Sequence, residues 1–147
     1  MKTILLTQTL LVILLNPVHG QLVYRDPSFG TGGVDTLTYM SGNMDEAPWD
    51  IALLPNGRIL VLGYSDDGEN EEYPWIARLK ANGELDKSFG TSGVKVIDTK
   101  GYYHDLRDIA IQPDGKILIN GSLNRGFAIY RMDSLGVMDQ SFGRRPD

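Results

Sequence analysis

The apolar residues of this chain fall into short runs that are separated by Gly, Pro, Asn and Asp. None of these runs is long enough for a substantial helix, and such runs between turn residues are typical of β-strands. The pattern predicts strands at residues 34–40, 49–54, 59–64, 75–80, 94–99, 106–112, 117–120 and 127–132. We therefore predict an all-β protein.

Two of the breaks between runs carry a specific turn signal. Pro55-Asn56-Gly57 and Pro113-Asp114-Gly115 each separate two adjacent runs. Asn-Gly and Asp-Gly pairs readily adopt the positive φ angles that tight hairpin turns need. The runs on either side of Gly57 and Gly115 are therefore predicted to form hairpins.

The strands that follow these turns, residues 59–62 and 117–119, are apolar without alternation. A continuous apolar strand is typical of a strand that is covered on both faces. Four-stranded sheets stacked around an axis provide that cover, because each sheet lies between two others. A flat β-sandwich is the alternative.

The segment Asp-x-Ser-Phe-Gly occurs three times, at residues 26–30, 86–90 and 139–143. The intervals between the three aspartates are 60 and 53 residues, and the difference falls in an acidic stretch between Gly63 and Trp75. Loops tolerate such changes in length. The chain divides into residues 1–20, a first repeat at 21–85, a second repeat at 86–138 and the start of a third at 139–147. Identical repeated units favour stacked sheets over a sandwich.

Residues 108–121 read Asp-Ile-Ala-Ile-Gln-Pro-Asp-Gly-Lys-Ile-Leu-Ile-Asn-Gly, and residues 50–63 match them without a gap. Together with the Asp-x-Ser-Phe-Gly segments, this wording resembles the delta-60 family of bacterial repeats. The first repeat departs from the pattern mildly, at Asn56 and Arg58. The resemblance implies propeller-like blades in a secreted or surface protein, and it implies no known activity.

These observations predict two tandem four-stranded antiparallel propeller-like blades and an incomplete third unit, which is a partial or open β-propeller. Propellers close with about four to eight blades. Two blades therefore leave three alternatives: a fragment of a longer array, a ring of several copies, or an open pair of sheets. Further repeats, or copies of the chain itself, are the partners that this predicts.

The N-terminus has the layout of a secretory signal. Lys2 is the only charge before a largely apolar run at residues 4–15, and the small residue Gly20 follows a break in that run. About twenty apolar residues are needed to span a bilayer, so stable membrane insertion is disfavoured. We expect cleavage near Gly20 and a secreted or surface location. No disulfide supports the exported protein, since the chain has no cysteine.

Several polar and aromatic residues recur at equivalent positions. We expect the buried arginines of the fourth strands to pair with an aspartate of the same or the adjacent blade. A repeated anion site is the alternative for these charges. The Asp-x-Ser-Phe-Gly segments are expected to cap turns and to place their phenylalanines between blades. The residues predicted to have these structural roles are Asp26, Phe29, Gly30, Asp50, Gly57, Arg78, Asp86, Phe89, Gly90, Asp108, Gly115 and Arg131.

Candidate chemistry is sparse. Asp66, Asp67 and Glu69 are the metal candidates, but their loop lacks the ligand spacing of an EF-hand, so a solvated loop is favoured and calcium is the alternative. The net charge of −5 argues against a nucleic acid partner, which requires clustered basic residues. His104 is the sole histidine after residue 20, and no serine nucleophile motif or phosphate loop occurs.

The sequence therefore favours a secreted, noncatalytic repeat module for extracellular binding or surface display, without a cofactor and with a glycan or protein as ligand. The alternative is a fragment of a secreted propeller enzyme that acts on glycans.

Overall fold

The structure, a computed structural model, describes residues 24–37, 45–66, 68, 72–98, 104–123 and 126–143. Within these ranges the secondary structure consists of strands and turns, which confirms the all-β prediction. The strands are β1 Asp45–Leu53, β2 Ile59–Asp66, β3 Glu72–Leu79, β4 Val94–Val96, β5 His104–Ile111, β6 Ile117–Leu123 and β7 Gly126–Met132.

The strands form two open antiparallel sheets. The first sheet has the order β1-β2-β3-β4 and the second has the order β5-β6-β7. Their inner faces pack on each other, chiefly through β1 and β5. Among the described residues no further sheet lies against the outer faces, but on the first sheet a second cluster of Trp75, Ala77 and Val94 is buried there, with Leu37 packed on it. The arrangement is a partial β-propeller, as predicted. The second sheet has three strands within the described residues, so the expected fourth strand is not found there.

The two predicted hairpins are present. Gly57 and Gly115 have φ angles of 79° and 82°, and their amides donate to the carbonyls of Leu54 and Gln112. The positive φ explains why glycine follows Asn56 and Asp114 at these turns. The length difference between the repeats also lies where it was expected, in the loops between β2 and β3 and between β6 and β7.

Strand β4 belongs to the second repeat in sequence but to the first sheet in space. A strand was predicted here, and its assignment to the second blade was wrong, because Ile76 of β3 pairs with Lys95 of β4. The chain folds back tightly after β3: the Asp86 amide donates to the Arg78 carbonyl, and the Arg78 amide donates to the Gly93 carbonyl. The boundary between sheets thus falls after β4, whereas the sequence repeat starts at Asp86.

The equivalent stretch of the first repeat was predicted to form a strand at residues 34–40. Residues 35–37 are not in a strand, and Val34 makes only an isolated bridge with Gly30. Residues 38–40 lie outside the described part of the chain. The described half of this prediction is therefore wrong, and β4 is the only one of the two equivalent segments that joins a sheet within the described residues.

The main core lies between the two inner faces. Leu60 and Leu62 of β2 are fully buried there, opposite Ile117 and Ile119 of β6. Their strand neighbours, such as Val61, point to the outer faces and are only partly buried. For β2 the prediction that both faces are covered is confirmed in part, because Val61 packs against the buried Trp75, Ala77 and Val94 on the outer face. For β6 it was wrong within the described residues, because no sheet lies against its outer face.

Candidate functional site

A cleft opens between the two sheets at the end where the two proline-glycine turns lie. It encloses about 730 Å³, which is in the range of small-molecule sites. Both sheets contribute to it, and most of its walls are aliphatic. We call it the interblade cleft; its lining residues are Leu53, Leu54, Pro55, Asn56, Arg58, Arg78, Ser88, Ile111, Gln112, Pro113, Gly115, Ile117, Ser134 and Leu135.

Arg78 forms the buried end of this cleft, and its side chain is only 6% exposed. Its Nε donates to Asp86 Oδ2 at 2.9 Å, and its Nη2 donates to Ser88 Oγ at 2.8 Å. Its Nη1 donates to the backbone carbonyl of Ser134, which belongs to the second repeat. The guanidinium also lies 4.9 Å from the centre of the Phe89 ring. Arg78 thus ties the two repeats together.

Asp86 is the counter-charge, as expected for a buried arginine. The Ser88 hydroxyl donates to Asp86 Oδ1 at 2.7 Å, and this bond holds the pKa of Asp86 below its ordinary value, with further support from the Ser88 amide, Arg78 and Arg58. Asp86 is therefore ionised at neutral pH. The turn-capping role predicted for this aspartate is present as well, because the Ser88 amide donates to the same oxygen.

A second arginine reaches the same carboxylate from the mouth of the cleft. Arg58 Nε lies 2.8 Å from Asp86 Oδ2, and the Arg58 side chain is 43% exposed. Two guanidinium groups therefore face one carboxylate, which leaves a surplus positive charge in the cleft. Such a surplus attracts anions most strongly where the surroundings are apolar.

The two departures from the repeat pattern explain how Arg58 comes to be there. In the second repeat, Lys116 Nζ pairs with Asp114 Oδ2 at 3.3 Å, within the turn. The first repeat has neutral Asn56 in place of that aspartate, so no turn carboxylate competes for Arg58. The asparagine at position 56 thus allows Arg58 to pair with Asp86. The sequence pattern alone did not reveal this relation between the two departures.

Gln112 provides a polar atom on the other wall of the cleft. Its Oε1 is buried, and no described residue donates a hydrogen bond to it. A buried acceptor without a donor costs about 1–3 kcal/mol. Since Oε1 has almost no accessible surface, a donor in the cleft reaches it only when the Gln112 side chain turns towards the cleft.

A comparison with family models finds one match, to a domain of unknown function (DUF5122) described as a β-propeller, at residues 54–89 and 112–142. Each matched segment runs from a proline-glycine turn to the phenylalanine of the next Asp-x-Ser-Phe-Gly segment, and so contains one arginine–aspartate pair. The chain carries two propeller-type repeats. No curated protein and no solved structure is significantly similar to it.

The second propeller-type repeat reproduces the arginine–aspartate pair. Arg131 Nε and Nη2 donate to Asp139 Oδ2 at 3.0 and 2.8 Å, and Arg131 lies 4.4 Å from the centre of the Phe142 ring. Hydrogen bonds from Ser141 and Arg131 lower the pKa of Asp139 to about 2. Both arginines thus pair with the aspartate of the following Asp-x-Ser-Phe-Gly segment.

Asp50 and Asp108, the other recurring aspartates, are not partners of these arginines. Asp50 instead joins the sheets, because its Oδ2 accepts a hydrogen bond from the Ile109 amide of β5 at 2.8 Å. Asp108 holds the same position on the outer face of the second sheet, where it is exposed. Asp50 therefore lies at the interface between the two sheets, whereas the equivalent Asp108 lies on an exposed face.

The residues just before these aspartates form a contact that the sequence did not predict. Each sheet has a β-bulge here, at Trp49 and at Arg107. The Arg107 guanidinium stacks 3.8 Å from the centre of the Trp49 ring and also pairs with Asp105. Bulges redirect side chains. Because both sheets have a bulge at the equivalent position, Trp49 and Arg107 point towards each other.

The glycines and phenylalanines of the repeated segments have the predicted structural roles where they are enclosed. Phe89 is fully buried between the sheets, and Phe29 is half-buried. Gly90 has a φ of 52°, and a Cβ there would lie 2.3 Å from the Val94 carbonyl oxygen. Gly30 repeats this geometry against Val34. Only glycine fits this turn without strain.

The remaining predicted residues do not join the cleft. Asp26 is exposed and accepts bonds from Ser28, which lower its pKa. Asp66 accepts a bond from the Gly68 amide, whereas Asp67 and Glu69 lie outside the described residues. Within the described ranges, no group of three metal-ligating side chains occurs. The calcium alternative therefore remains untested for the loop as a whole.

The predicted signal segment, residues 1–20, also lies outside the described part of the chain. In the part that is described, no helix has the length and apolar character to cross a membrane.

Proposed function

We propose that this protein is a secreted, noncatalytic module of delta-60-type propeller repeats that serves in extracellular binding or surface display. The observation that carries the proposal is the interblade cleft, which combines aliphatic walls with the partly exposed Arg58. Pockets of this kind use a few polar groups to orient an otherwise apolar contact. Arg78 pairs with Asp86, and Arg131 pairs with Asp139. This mutual pairing supports a structural role for the recurring arginines and aspartates.

The chemistry of the cleft favours a small ligand that has both a carboxylate and hydroxyl groups. Arg58 and Arg78 together carry one more charge than Asp86 neutralises, which suits a carboxylate. The Gln112 oxygen has no donor among the described residues, and a hydroxyl group supplies one when the Gln112 side chain turns towards the cleft. An acidic sugar, a uronate, meets both requirements and agrees with the glycan ligand expected from the sequence.

The binding proposal is tested by titrating the protein with glucuronate and with glucose, which differ in the carboxylate, and by following the amide resonances of the cleft residues by NMR. We expect saturable shifts with glucuronate and at least tenfold weaker binding of glucose. Arg58→Gln should abolish this preference. Lys116→Gln is the matched control and should preserve it, because Lys116 pairs with Asp114 in its own turn.

Equal binding of the two sugars by the unaltered protein, or an unchanged preference in Arg58→Gln, would contradict the assignment of the cleft. Release of shortened products from an acidic glycan would instead support the enzyme alternative.

The export proposal has a separate test. The full chain is expressed in a bacterial host, and the protein recovered outside the cytoplasm is examined by mass spectrometry. We expect a new N-terminus close to residue 21, because a signal peptidase cuts after a small residue such as Gly20. Retention of residues 1–20 in the cytoplasmic fraction would overturn the proposal.

A further inference from the structure

The two outer faces of this molecule are copies of the two inner faces that already pack together. On the first sheet, the inner face presents Leu60, Leu62 and Ile76. On the second sheet, the equivalent positions lie on the outer face and are occupied by Leu118, Asn120 and Ile129. The same surface of the repeat thus occurs twice. On the first sheet it packs against the second sheet, and on the second sheet no described sheet lies against it.

The reciprocal surface is also present. The second sheet packs its inner face through Ile109, Ile117 and Ile119. The equivalent residues of the first sheet are Ile51, Ile59 and Val61, which lie on its outer face. Leu37 covers this face over Trp75 and Ala77 and leaves it open towards Ile51. Ile51 is 65% exposed, and Ile129 on the opposite outer face is 47% exposed. Exposed apolar residues of this size on a repeated surface indicate an interaction site.

From this equivalence we propose that the outer face of the second sheet binds the outer face of the first sheet of a second copy of this chain, head to tail. The docking reproduces the interface between the two sheets of one chain. It goes beyond the proposed binding function, because it concerns the outer faces and not the interblade cleft.

The polar contacts of the internal interface predict those of the new one. Inside the chain, the Ile109 amide donates to Asp50, the aspartate of the preceding sheet. The Ile51 amide donates to the same Asp50, which is its own neighbour in sequence. No described residue donates a hydrogen bond to the exposed Asp108. In the complex, Asp108 accepts from the Ile51 amide of the second copy, as Asp50 accepts from Ile109.

The bulge residues fit the same arrangement. Trp49 and Arg107 occupy equivalent positions, and they stack on each other inside the chain. Head-to-tail docking places Arg107 of one copy beside Trp49 of the next, so the same cation–π pair forms again. Tryptophan and arginine then alternate along the assembly. A same-face dimer would instead place two arginines together, at a cost in repulsion.

The docking also adds a strand to the second sheet, which has three strands within the described residues. Residues 34–36 correspond to β4, but they join no sheet within their own chain. In the complex they lie at the free edge of β7 of the neighbouring copy, as β4 lies beside β3. Asp26 of that copy then competes with Asp139 for Arg131, because both correspond to Asp86. The assembly forms when the neighbour's segment replaces the chain's own.

Head-to-tail association closes into a ring when the rotation between copies permits it. Propellers close with about four to eight blades, and each copy contributes the two sheets that its described residues form. Sedimentation velocity over a wide concentration range tests this. We expect one discrete oligomer that dissociates on dilution. A chain that remains monomeric at about millimolar concentration would overturn the proposal.

The direction of docking is tested with one charge on each outer face. Ile51→Glu and Ile129→Glu should each abolish the oligomer, and circular dichroism should show intact sheets because both residues are exposed. An equimolar mixture should form a dimer, since each variant retains one working face. Val137→Glu is the matched control, because Val137 is 61% exposed, lies in a turn and corresponds to Glu84 of the first repeat.

A dimer of Ile51→Glu alone would indicate same-face association and overturn the proposal, as would a mixture that remains monomeric. The competition between Asp26 and Asp139 for Arg131 is tested with two matched variants. Asp139→Asn should raise the association constant, because it weakens the segment of the same chain, and Asp26→Asn should lower it. A shift of the same sign in both variants would overturn the role given to residues 26–36.

Discussion

The two sheets are built from one repeat, but they bury different positions of it. Ile76 of the first sheet is fully buried, whereas the equivalent Ile129 of the second is 47% exposed. Both residues are isoleucines at equivalent positions of β3 and β7. They differ in whether the other sheet lies against them. The comparison teaches that burial in this chain is a property of the interface between repeats and not of the repeat itself.

The charged pair of each repeat leads to the same lesson. Arg78 and Asp86 have side chains that are 6% and 8% exposed, whereas Arg131 and Asp139 are 22% and 20% exposed. In both pairs the aspartate follows its arginine by 8 residues and stands at the start of the next sequence repeat. Of the two arginines, only Arg78 also donates to a residue distant in sequence, at the carbonyl of Ser134 in the turn after β7. A pair that is local in sequence thus becomes a link between sheets when a second sheet is present.

The largest expected effect contrasts the two isoleucines. Ile76→Ala removes apolar atoms from the core between the sheets and should lower the free energy of unfolding by about 3 kcal/mol. Ile129→Ala, the matched change on the outer face, should cost less than about 1 kcal/mol. Urea denaturation of the dilute, monomeric protein measures both values. Similar losses would contradict the contrast in burial between the two sheets.

The next contrast concerns the aspartates of the two charged pairs. Asp86→Ala leaves two arginines without their shared carboxylate, one of them buried, and should destabilise the fold by about 3 kcal/mol. Asp139→Ala should have a clearly smaller effect, because Arg131 is more exposed and water can solvate it. Urea midpoints of the two variants decide the point. A larger loss in Asp139→Ala would show that the more exposed pair is the structural one.

A smaller difference is expected at the sheet-joining aspartates. Asp50→Ala removes the acceptor of the Ile109 amide and should cost about 1.5 kcal/mol. Asp108→Ala should leave the stability of the dilute monomer unchanged within about 0.5 kcal/mol, because no second sheet faces it. Thermal melts at low concentration provide the measurement. If Asp108→Ala is as destabilising as Asp50→Ala, Asp108 has an interaction within its own chain.

The smallest expected effect is a change in how the stability of the fold depends on pH under acidic conditions. The folded pKa of Asp139 is about 2, below its ordinary value of 3.8, so its carboxylate stabilises the fold fully above about pH 4. That contribution is lost as the pH falls from about 4 to about 2. Melting temperatures across this window should therefore fall less steeply in Asp139→Asn than in the unaltered protein. Identical slopes would show that the pair does not contribute to folding.

Several features could be read from the sequence because they depend on local chemistry. The proline-glycine turns around Gly57 and Gly115 fix two hairpins, since few residues other than glycine tolerate the φ angles involved. The threefold Asp-x-Ser-Phe-Gly segment predicted a repeated capping turn, which the serine and aspartate form by themselves. The arginine–aspartate pairing was expected as well, because a buried guanidinium requires a counter-charge.

Other features could not be predicted in this way. The partner of Arg78 was not identified, because Asp50 and Asp86 both have an equivalent aspartate in the next repeat and only the fold distinguishes them. The interblade cleft went unrecognised, since its residues come from two repeats that are about 58 residues apart in sequence. The stacking of Arg107 on Trp49 depends on matched bulges, and a bulge leaves little trace in an apolar pattern.

The sequence by itself determined the two hairpins, the capping turns and the fact of repetition, because each of these follows from the preferences of neighbouring residues. Only the tertiary structure decided that β4 crosses from its own repeat to the preceding sheet and which face of each sheet packs against the other. The physical reason is that strand edges and sheet faces are satisfied by whichever partner lies against them. That partner is set by packing between repeats, which no single repeat contains.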